Sequence, residues 1–358
     1  MNQIINLKQF YKSKRVLITG HTGFKGSWLT LWLKHLGAEI CGVSLPTRQA
    51  LSLFNKADCG KDVTSCYSDI RNLRSLGRIF KSFKPQVVFH LAAQPLVRLS
   101  YEKPVETFQI NIMGLVNVFE AVRHSDSVRS LVCVTSDKCY ENLNLTRGYK
   151  ETDRLGGKDP YSASKAASEI VIHSYYHSFL LDLGIGVASG RAGNVIGGGD
   201  WARDRIFPDA VKSLAQKRTI EVRNPDSVRP WQHVLDPLYG YLVLGAKLLH
   251  EPTKYSGPWN FAPSLSSCRS VKELVRRVIF HWGEGSWKIH RDSKAPHEAA
   301  VLKLSYRKAL SHLHWKPLWD LNTAVRKTVA WYRSFYDGDN DARRLCMADI
   351  LAYQEAVF

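Results

Sequence analysis

The sequence predicts an α/β fold of Rossmann type, a doubly wound parallel sheet with a smaller mixed α/β substrate lobe toward the C-terminus. Three observations predict it. Short apolar runs alternate with longer amphipathic ones through the first half of the 358 residues. A glycine-rich loop joins the first run to the second, and the alternation breaks after about residue 194. Strands alternating with helices of this length form βαβ units, whose parallel sheet is covered on both faces.

The elements follow in order. Arg15-Val16-Leu17-Ile18-Thr19 is a strand, and residues 26–36, apolar at Trp28, Leu29, Leu31, Trp32 and Leu36, are a helix. Residues 38–43 are a second strand and 73–83 a helix; Pro85 helps to start the strand Val87-Val88-Phe89-His90. A long helix over 105–122, the strand Leu131-Val132-Cys133-Val134-Thr135, a helix over 161–179 and a strand over 186–189 complete the regular half. Gly197-Gly198-Gly199-Asp200-Trp201 is a loop, and helices over 271–282 and 323–335 read as amphipathic packing elements. Residues 1–190 are therefore expected to form the dinucleotide-binding domain, with room for later segments to return to it, and 191–358 mainly the substrate lobe.

Composition narrows the function classes. The 44% hydrophobic and 23% charged content is that of an ordinary globular protein. The longest apolar run, 238–249, is too short for a bilayer and contains glycine and lysine. The opening MNQIINLKQFYKSK has no signal-peptide core, so a cytoplasmic address and no membrane partner are expected. Seven cysteines without a C-x-x-C pair argue for reduced thiols, with neither disulfides nor a metal site. The net charge of +18 fits nucleic acid, an anionic surface or small anionic substrates. It is spread along the chain, which suits a basic surface steering small anions better than a nucleic-acid tail.

The first strand runs into Gly20-His21-Thr22-Gly23-Phe24-Lys25-Gly26. Glycines here permit a tight turn, close backbone approach to a pyrophosphate, and close helix–strand packing. The helix that follows offers N–H groups and a partial positive charge to phosphate. Gly20, Thr22, Gly23, Phe24, Lys25 and Gly26 are thus the candidate cofactor contacts. The acidic residue that usually ends the second strand is missing from Val43-Ser44-Leu45-Pro46-Thr47-Arg48, which leaves NAD and NADP both open.

The strand ending at Thr135 delivers Ser136-Asp137-Lys138 to the edge where open α/β sheets keep their chemistry. Twenty-five residues beyond Ser136 lies Tyr161, and Lys165 stands one helical turn further on, in the one Tyr-x-x-x-Lys of the chain. An ammonium beside a phenol is expected to lower the phenol's pKa. Tyr161 would then take a hydroxyl proton while hydride leaves for a nicotinamide. Ser136 would hydrogen-bond the same oxygen, and Lys165 would also hold the nicotinamide ribose.

Ser136-Asp137-Lys138-Cys139-Tyr140 with Tyr161 and Lys165 resembles the sugar-nucleotide 4,6-dehydratases of the extended short-chain dehydrogenase/reductase superfamily. The glycine loop, residues 92–101, residues 191–201, Arg229-Pro230-Trp231-Gln232-His233-Val234 and Pro296-His297-Glu298-Ala299 resemble the CDP-glucose 4,6-dehydratase family more narrowly. The resemblance covers about 14 to 335. It implies a lyase of deoxysugar biosynthesis, such as feeds lipopolysaccharide O-antigen, with tightly bound NAD and a homodimer or tetramer built on helices 105–122 and 161–179. It implies that Asp137 protonates the departing C6 hydroxyl and that Lys138 takes the C5 proton, provided burial or neighbouring cations lower its pKa. By the same carry-over Asp69 and Ile70 flank the adenine, and Leu91, Ala92, Ala93, Gln94, Asn111 and Arg191 contact the cofactor. Gln94, Arg98, Ser136, Asn194, Arg203, Arg205, Arg229, Asn260, His297 and Glu298 contact the substrate. The chain departs from the family pattern at 141–149, where tryptophans are usual, and at Ala300-Val301.

Two other kinds of protein would share part of this pattern. A 4-epimerase or 4-keto reductase of the same superfamily would share Ser136, Tyr161 and Lys165 but has no use for Asp137 and Lys138. A non-catalytic NAD(P)-sensing or nucleic-acid-binding protein would need no Tyr161–Lys165 pair, and its nucleic-acid affinity would fall steeply with salt.

Overall fold

The computed structural model describes residues 6–47, 51–290 and 302–357. Seven parallel strands form the central sheet: β1 (Arg15–Thr19), β2 (Glu39–Ser44), β3 (Thr64–Tyr67), β4 (Val87–His90), β5 (Ser130–Val134), β6 (Gly186–Ala192) and β7 (Gly257–Phe261). Their spatial order is β7-β6-β5-β4-β1-β2-β3, and every neighbouring pair is parallel. The order reverses at β1/β4, the crevice where such sheets bind ligands. The Rossmann-type expectation therefore holds.

Helices cover both faces. On one, α1 (Phe24–His35) and α5 (Leu235–His250) pack with the C-terminal helices α7 (Leu321–Tyr336) and α8 (Ala342–Val357) in one large apolar cluster. On the other, α2 (Leu73–Phe83), α3 (Gly114–Arg123) and α4 (Pro160–Tyr175) bury Leu76, Phe80, Val118, Phe119 and Ile172 against Leu17, Val88 and Leu131. Interior strands read as unbroken apolar runs because both sides are covered. Trp28, Trp32 and Trp259 are fully buried, and burying a large apolar side chain contributes about 1.5–3 kcal/mol.

Two elements depart from the sequence reading. The helix expected over 105–122 begins at Pro104 and passes through a π-helical turn, Gln109–Met113, before α3. The one expected over 161–179 likewise ends in a π-helical turn, Tyr176–Leu180, where the Leu181 N–H bonds the Tyr176 carbonyl five residues back. The sheet also gains β3 and β7, which the periodicity did not show. β7 arrives after residue 194 and pairs with β6 from Gly257↔Ala188 to Phe261↔Ala192. Among the described residues the C-terminal half contributes the helix α6 (Val271–Trp282) and three two-stranded ribbons. All seven cysteines are free thiols, six of them buried. Among the described residues no helix is long and apolar enough to cross a membrane.

Candidate active site

The glycine loop is shaped by its lack of side chains. Gly20 has φ +78°, in the left-handed region, and a Cβ there would lie 2.7 Å from the Ala92 nitrogen. A Cβ on Gly26 would fall 2.1 Å from the Gly20 carbonyl oxygen, so α1 can lie this close to β1 only with glycine there. Gly23 caps α1 without a side-chain bond and is exposed, leaving an open cradle at a helix N-terminus that suits a pyrophosphate. Beneath it the buried His21 bonds Ser44 Oγ (3.0 Å) and Ser65 Oγ (3.1 Å), tying the loop to β2 and β3. Burial holds this imidazole down to about 4, so it stays neutral. Thr22 Oγ donates to the Leu45 carbonyl at 3.2 Å. Phe24 and Lys25 are half-buried.

At the end of β5 the chain turns sharply. Ser136 Oγ accepts the Lys138 N–H (3.2 Å) and launches a short 3-10 turn, Asp137–Cys139. The turn sends Asp137 inward and leaves Lys138 half-buried. Ser136 Oγ also donates to Asp137 Oδ1 at 3.0 Å and hydrogen-bonds the Tyr161 phenol. Asp137 Oδ2 is buried without a hydrogen-bond partner. A Cβ at residue 193 would sit 3.1 Å from that oxygen, so Gly193 leaves room beside it. Burial pushes the Asp137 carboxyl above the usual range, opposed by Lys138, Ser136, Arg229 and Lys25. That is the bias of an acid meant to be protonated.

Asp159 begins α4 by accepting the Ser162 N–H (2.9 Å), with Pro160 in the first turn. The Tyr161 N–H is held by Ser100 Oγ at 3.2 Å. The Lys165 ammonium stands 6.0 Å from the Tyr161 ring centroid, and both side chains are buried. One expectation is corrected here. Burial pushes the phenol up to about 12, and it is the Ser136 hydrogen bond, not Lys165, that pulls hardest the other way. Burial also pulls Lys165 down to about 8, against the attraction of Glu169. Lys25 is likewise lowered to about 8 by burial and by Arg205 and Lys165; its ammonium is enclosed although its side chain as a whole is half-buried.

The structure thus gathers Ser136, Asp137, Tyr161, Lys165, Lys25, Arg205 and Arg229 around one crevice, with Lys138 beside Asp137. Arg229 is buried, and Arg205 donates to Asp200 Oδ2 at 2.9 Å. Arg98 stands 4.0 Å from Asp204, Arg203 is exposed, and Asn194 is half-buried. Leu91, Ala92 and Ala93 line the turn after β4, with the Ala92 N–H on Thr19 Oγ at 3.2 Å.

Several expected contacts are turned elsewhere. Arg191 faces inward, paired with Glu169 at 2.7 Å and bonded to the Tyr140 hydroxyl at 2.8 Å. Asn260 is fully buried, donates to the Tyr149 and Ser305 carbonyls and accepts from Tyr140. Its amide hydrogens are taken, which removes it from the substrate set. Asn111 bonds the Gln94 backbone (2.8 and 3.1 Å) and Ser164 Oγ (2.8 Å). Gln94 bonds Thr107 Oγ and both backbone polar groups of Leu96. These two residues fasten the loop after β4 to α4. Asp69 grips Arg71 at 2.6 Å, and Ile70 is buried, its Cδ1 2.5 Å from where a Gly114 Cβ would lie. His297 and Glu298 lie outside the described residues. Sequence reasoning missed Glu169, although its spacing of four beyond Lys165 puts it on the same helical face.

Known proteins resemble this chain in sequence and in fold. A family model described as GDP-mannose 4,6 dehydratase matches residues 17–328. The chain is 44% identical over 339 residues to the CDP-glucose 4,6-dehydratase of Salmonella typhimurium, covering 93% of this chain and 94% of that protein. It is 28% identical to UDP-glucuronate 4-epimerase 4 of Arabidopsis thaliana, over 91% of this chain and 77% of the other. In three dimensions it is similar to dTDP-glucose 4,6-dehydratase from Bacillus anthracis in complex with NAD, with a TM-score of 0.77, 20% identity and 91% and 98% of the two chains covered. It is similar also to the Thermus thermophilus UDP-glucose 4-epimerase–NAD complex, with a TM-score of 0.74, 26% identity and 89% and 99% covered.

Proposed function

The chain belongs to the GDP-mannose 4,6 dehydratase family, and from that membership we propose that it is a nucleotide-sugar hydro-lyase converting CDP-glucose to CDP-4-keto-6-deoxyglucose. The observation that carries this reading is the buried Asp137 beside Ser136 and Tyr161, its outer oxygen unpartnered and its carboxyl biased toward the protonated form. An epimerase would share the tyrosine and the serine but has no work for that acid.

The glycine cradle at the start of α1 fits the pyrophosphate of a dinucleotide, since side chains on Gly20 or Gly26 would strike backbone. Bound NAD would supply the acceptor for the C4 hydride, a positive charge that favours the Tyr161 phenolate, and the hydride returned to C6. Gly20, Thr22, Gly23, Phe24, Lys25 and Gly26 would hold its phosphate side, with Leu91, Ala92 and Ala93 as further contacts. Tyr161 takes the C4 hydroxyl proton while Ser136 hydrogen-bonds the same oxygen. The 4-ketone acidifies C5–H, Lys138 removes that proton, and Asp137 delivers one to the leaving C6 hydroxyl, so water departs; Lys138 would give its proton back to C5 when the hydride returns to C6. Arg205 and Arg229 receive the diphosphate, guanidinium forks matching phosphate oxygens.

In this reading residues 1–190 with β7 bind the cofactor and the remainder mainly binds substrate in the cytoplasm. The helices around 104–123 and 160–180 expose Val105 (67%), Met113 (53%) and Ile170 (61%). Such a face suits homodimer pairing, and a monomeric mass in solution would refute it. The central test is incubation with CDP-glucose and other nucleotide hexoses. A product lighter by one water, absorbing as a 4-keto sugar in alkali, is expected from CDP-glucose; if no nucleotide hexose loses water, the reading is wrong.

A further inference from the structure

We propose that Glu169 is the positioning residue for Lys165: its carboxylate clips the helix carrying Tyr161 and Lys165 onto the strand ends and keeps the lysine ammonium charged inside the protein. The inference rests on the reading of Lys165 given above and assigns it a partner.

Glu169 lies one turn beyond Lys165 and two beyond Tyr161 on α4. Its two oxygens collect donors from two strands. Oε1 accepts Thr135 Oγ at 2.5 Å; Oε2 accepts Ser189 Oγ and Arg191 Nη2, each at 2.7 Å. Thr135 directly precedes Ser136, so the same carboxylate that anchors α4 also anchors the turn bearing Ser136 and Asp137. Ser189 and Arg191 belong to β6. Arg191 continues inward to the Tyr140 hydroxyl and the Glu151 carbonyl. Both members of the ion pair are only 3% exposed. Such a pair adds little net stability over a well-packed apolar one, which points to a purpose other than holding the fold.

The groups around Lys165 show what that purpose is. On its own helix are Glu169 and Tyr161; β4 offers His90; β5 and the turn after it offer Cys133 and Cys139; the start of α1 offers Lys25. Burial holds His90 neutral, down to about 3, and keeps both thiols protonated. Lys25 is a like charge. Of these groups Glu169 alone carries a negative charge, and it opposes the burial that would strip Lys165 of its proton. A neutral lysine could not donate three hydrogens to a ribose.

Glu169→Gln tests this. The 13Cε resonance of Lys165, assigned by its disappearance in Lys165→Arg, reports the lysine's titration without any turnover. The expected result is a titration midpoint lower by about one pH unit or more, a tenfold change in proton affinity. The alkaline limb of kcat should move to lower pH by the same amount, with the KM for the nucleotide sugar unchanged and Glu169→Asp restoring part of the shift. A folded Glu169→Gln whose Lys165 midpoint stays in place overturns the proposal, whatever happens to its rate. Should Arg191 left alone prevent folding, the double variant Glu169→Gln/Arg191→Gln removes both charges, and the same shift or its absence decides. A wild-type protein that dehydrates no nucleotide sugar would overturn the proposed function while leaving the lysine titration to be judged by itself.

Discussion

Two layers of buried polar groups lie one above the other at the C-terminal edge of the sheet, and they are finished differently. In the lower layer Glu169, Arg191, Tyr140 and Asn260 bond one another and the backbone, with the Arg191 Nε the exception. In the upper layer Asp137 keeps an unpartnered oxygen, while Tyr161, Lys165 and Lys25 are all driven by burial toward their neutral forms. An unpaired buried polar group costs about 1–3 kcal/mol. A chain that completes one layer and leaves the next unfinished marks the second as the place where another molecule completes it.

The strongest way to break this comparison is Tyr161→Phe. It should lower kcat by about a thousandfold while the melting temperature holds or rises, measured by product formation and thermal unfolding; a large loss of stability would put Tyr161 in the lower layer. Asp137→Asn should lower overall turnover by about 100-fold or more yet still reduce the cofactor, so nicotinamide absorbance should accumulate with the sugar stalled as its 4-ketone. The same substitution sharpens the comparison through pH. The Asp137 pKa is raised in the folded state, so its contribution is full below the unfolded value and is lost as pH rises through the folded one. Asp137→Asn should therefore melt higher than wild type once pH passes the raised folded pKa, and alike in acid.

Gly26→Ala comes next. Its methyl would press on the Gly20 carbonyl, so dinucleotide affinity should fall at least about tenfold, about 1.4 kcal/mol by titration. Asp236 is the useful irregularity, because it has an unpartnered Oδ2 and bonds to neither layer. Its Oδ1 accepts the Leu318 N–H and the Tyr353 hydroxyl, tying α5 to α8, and burial raises its carboxyl to about 7. The stability it contributes is full below the ordinary carboxyl range and is lost as pH climbs to about 7. Asp236→Asn should therefore stabilise the protein by about 2–4 kcal/mol above neutrality and by nothing in acid, with activity unchanged. The smallest effect belongs to the exposed Arg203: Arg203→Ala should change KM by less than about threefold.

How much of this was legible depends on how local the signal is. The strand Arg15–Thr19, the helix Leu73–Phe83 and the strand Val87–His90 appear where periodicity puts them, because each buries its own apolar residues. β3, TSCY, is a half-exposed edge strand with little apolar pattern, and β7, GPWNF, is short and contains proline. Only pairing with a distant neighbour makes either one a strand. The crevice was legible for Ser136, Asp137, Tyr161 and Lys165, because strand-end placement and helical spacing are both written in the sequence. Arg191, Asn260 and Asn111 were not, because whether a polar side chain faces a ligand or an internal partner depends on residues far along the chain. Glu169 is the informative miss, since the spacing that exposes Lys165 exposes it as well.

The return of Gly257–Phe261 to the outside of β6 has a practical side for anyone who would divide the molecule. A fragment stopping near residue 190 would leave the rim of the sheet as a bare row of amides inviting self-association. The segment between β6 and β7 carries α5, which covers one face of the same sheet and is part of its packing. Exchanging recognition modules between relatives should therefore leave α5 and both of its flanking strands in place.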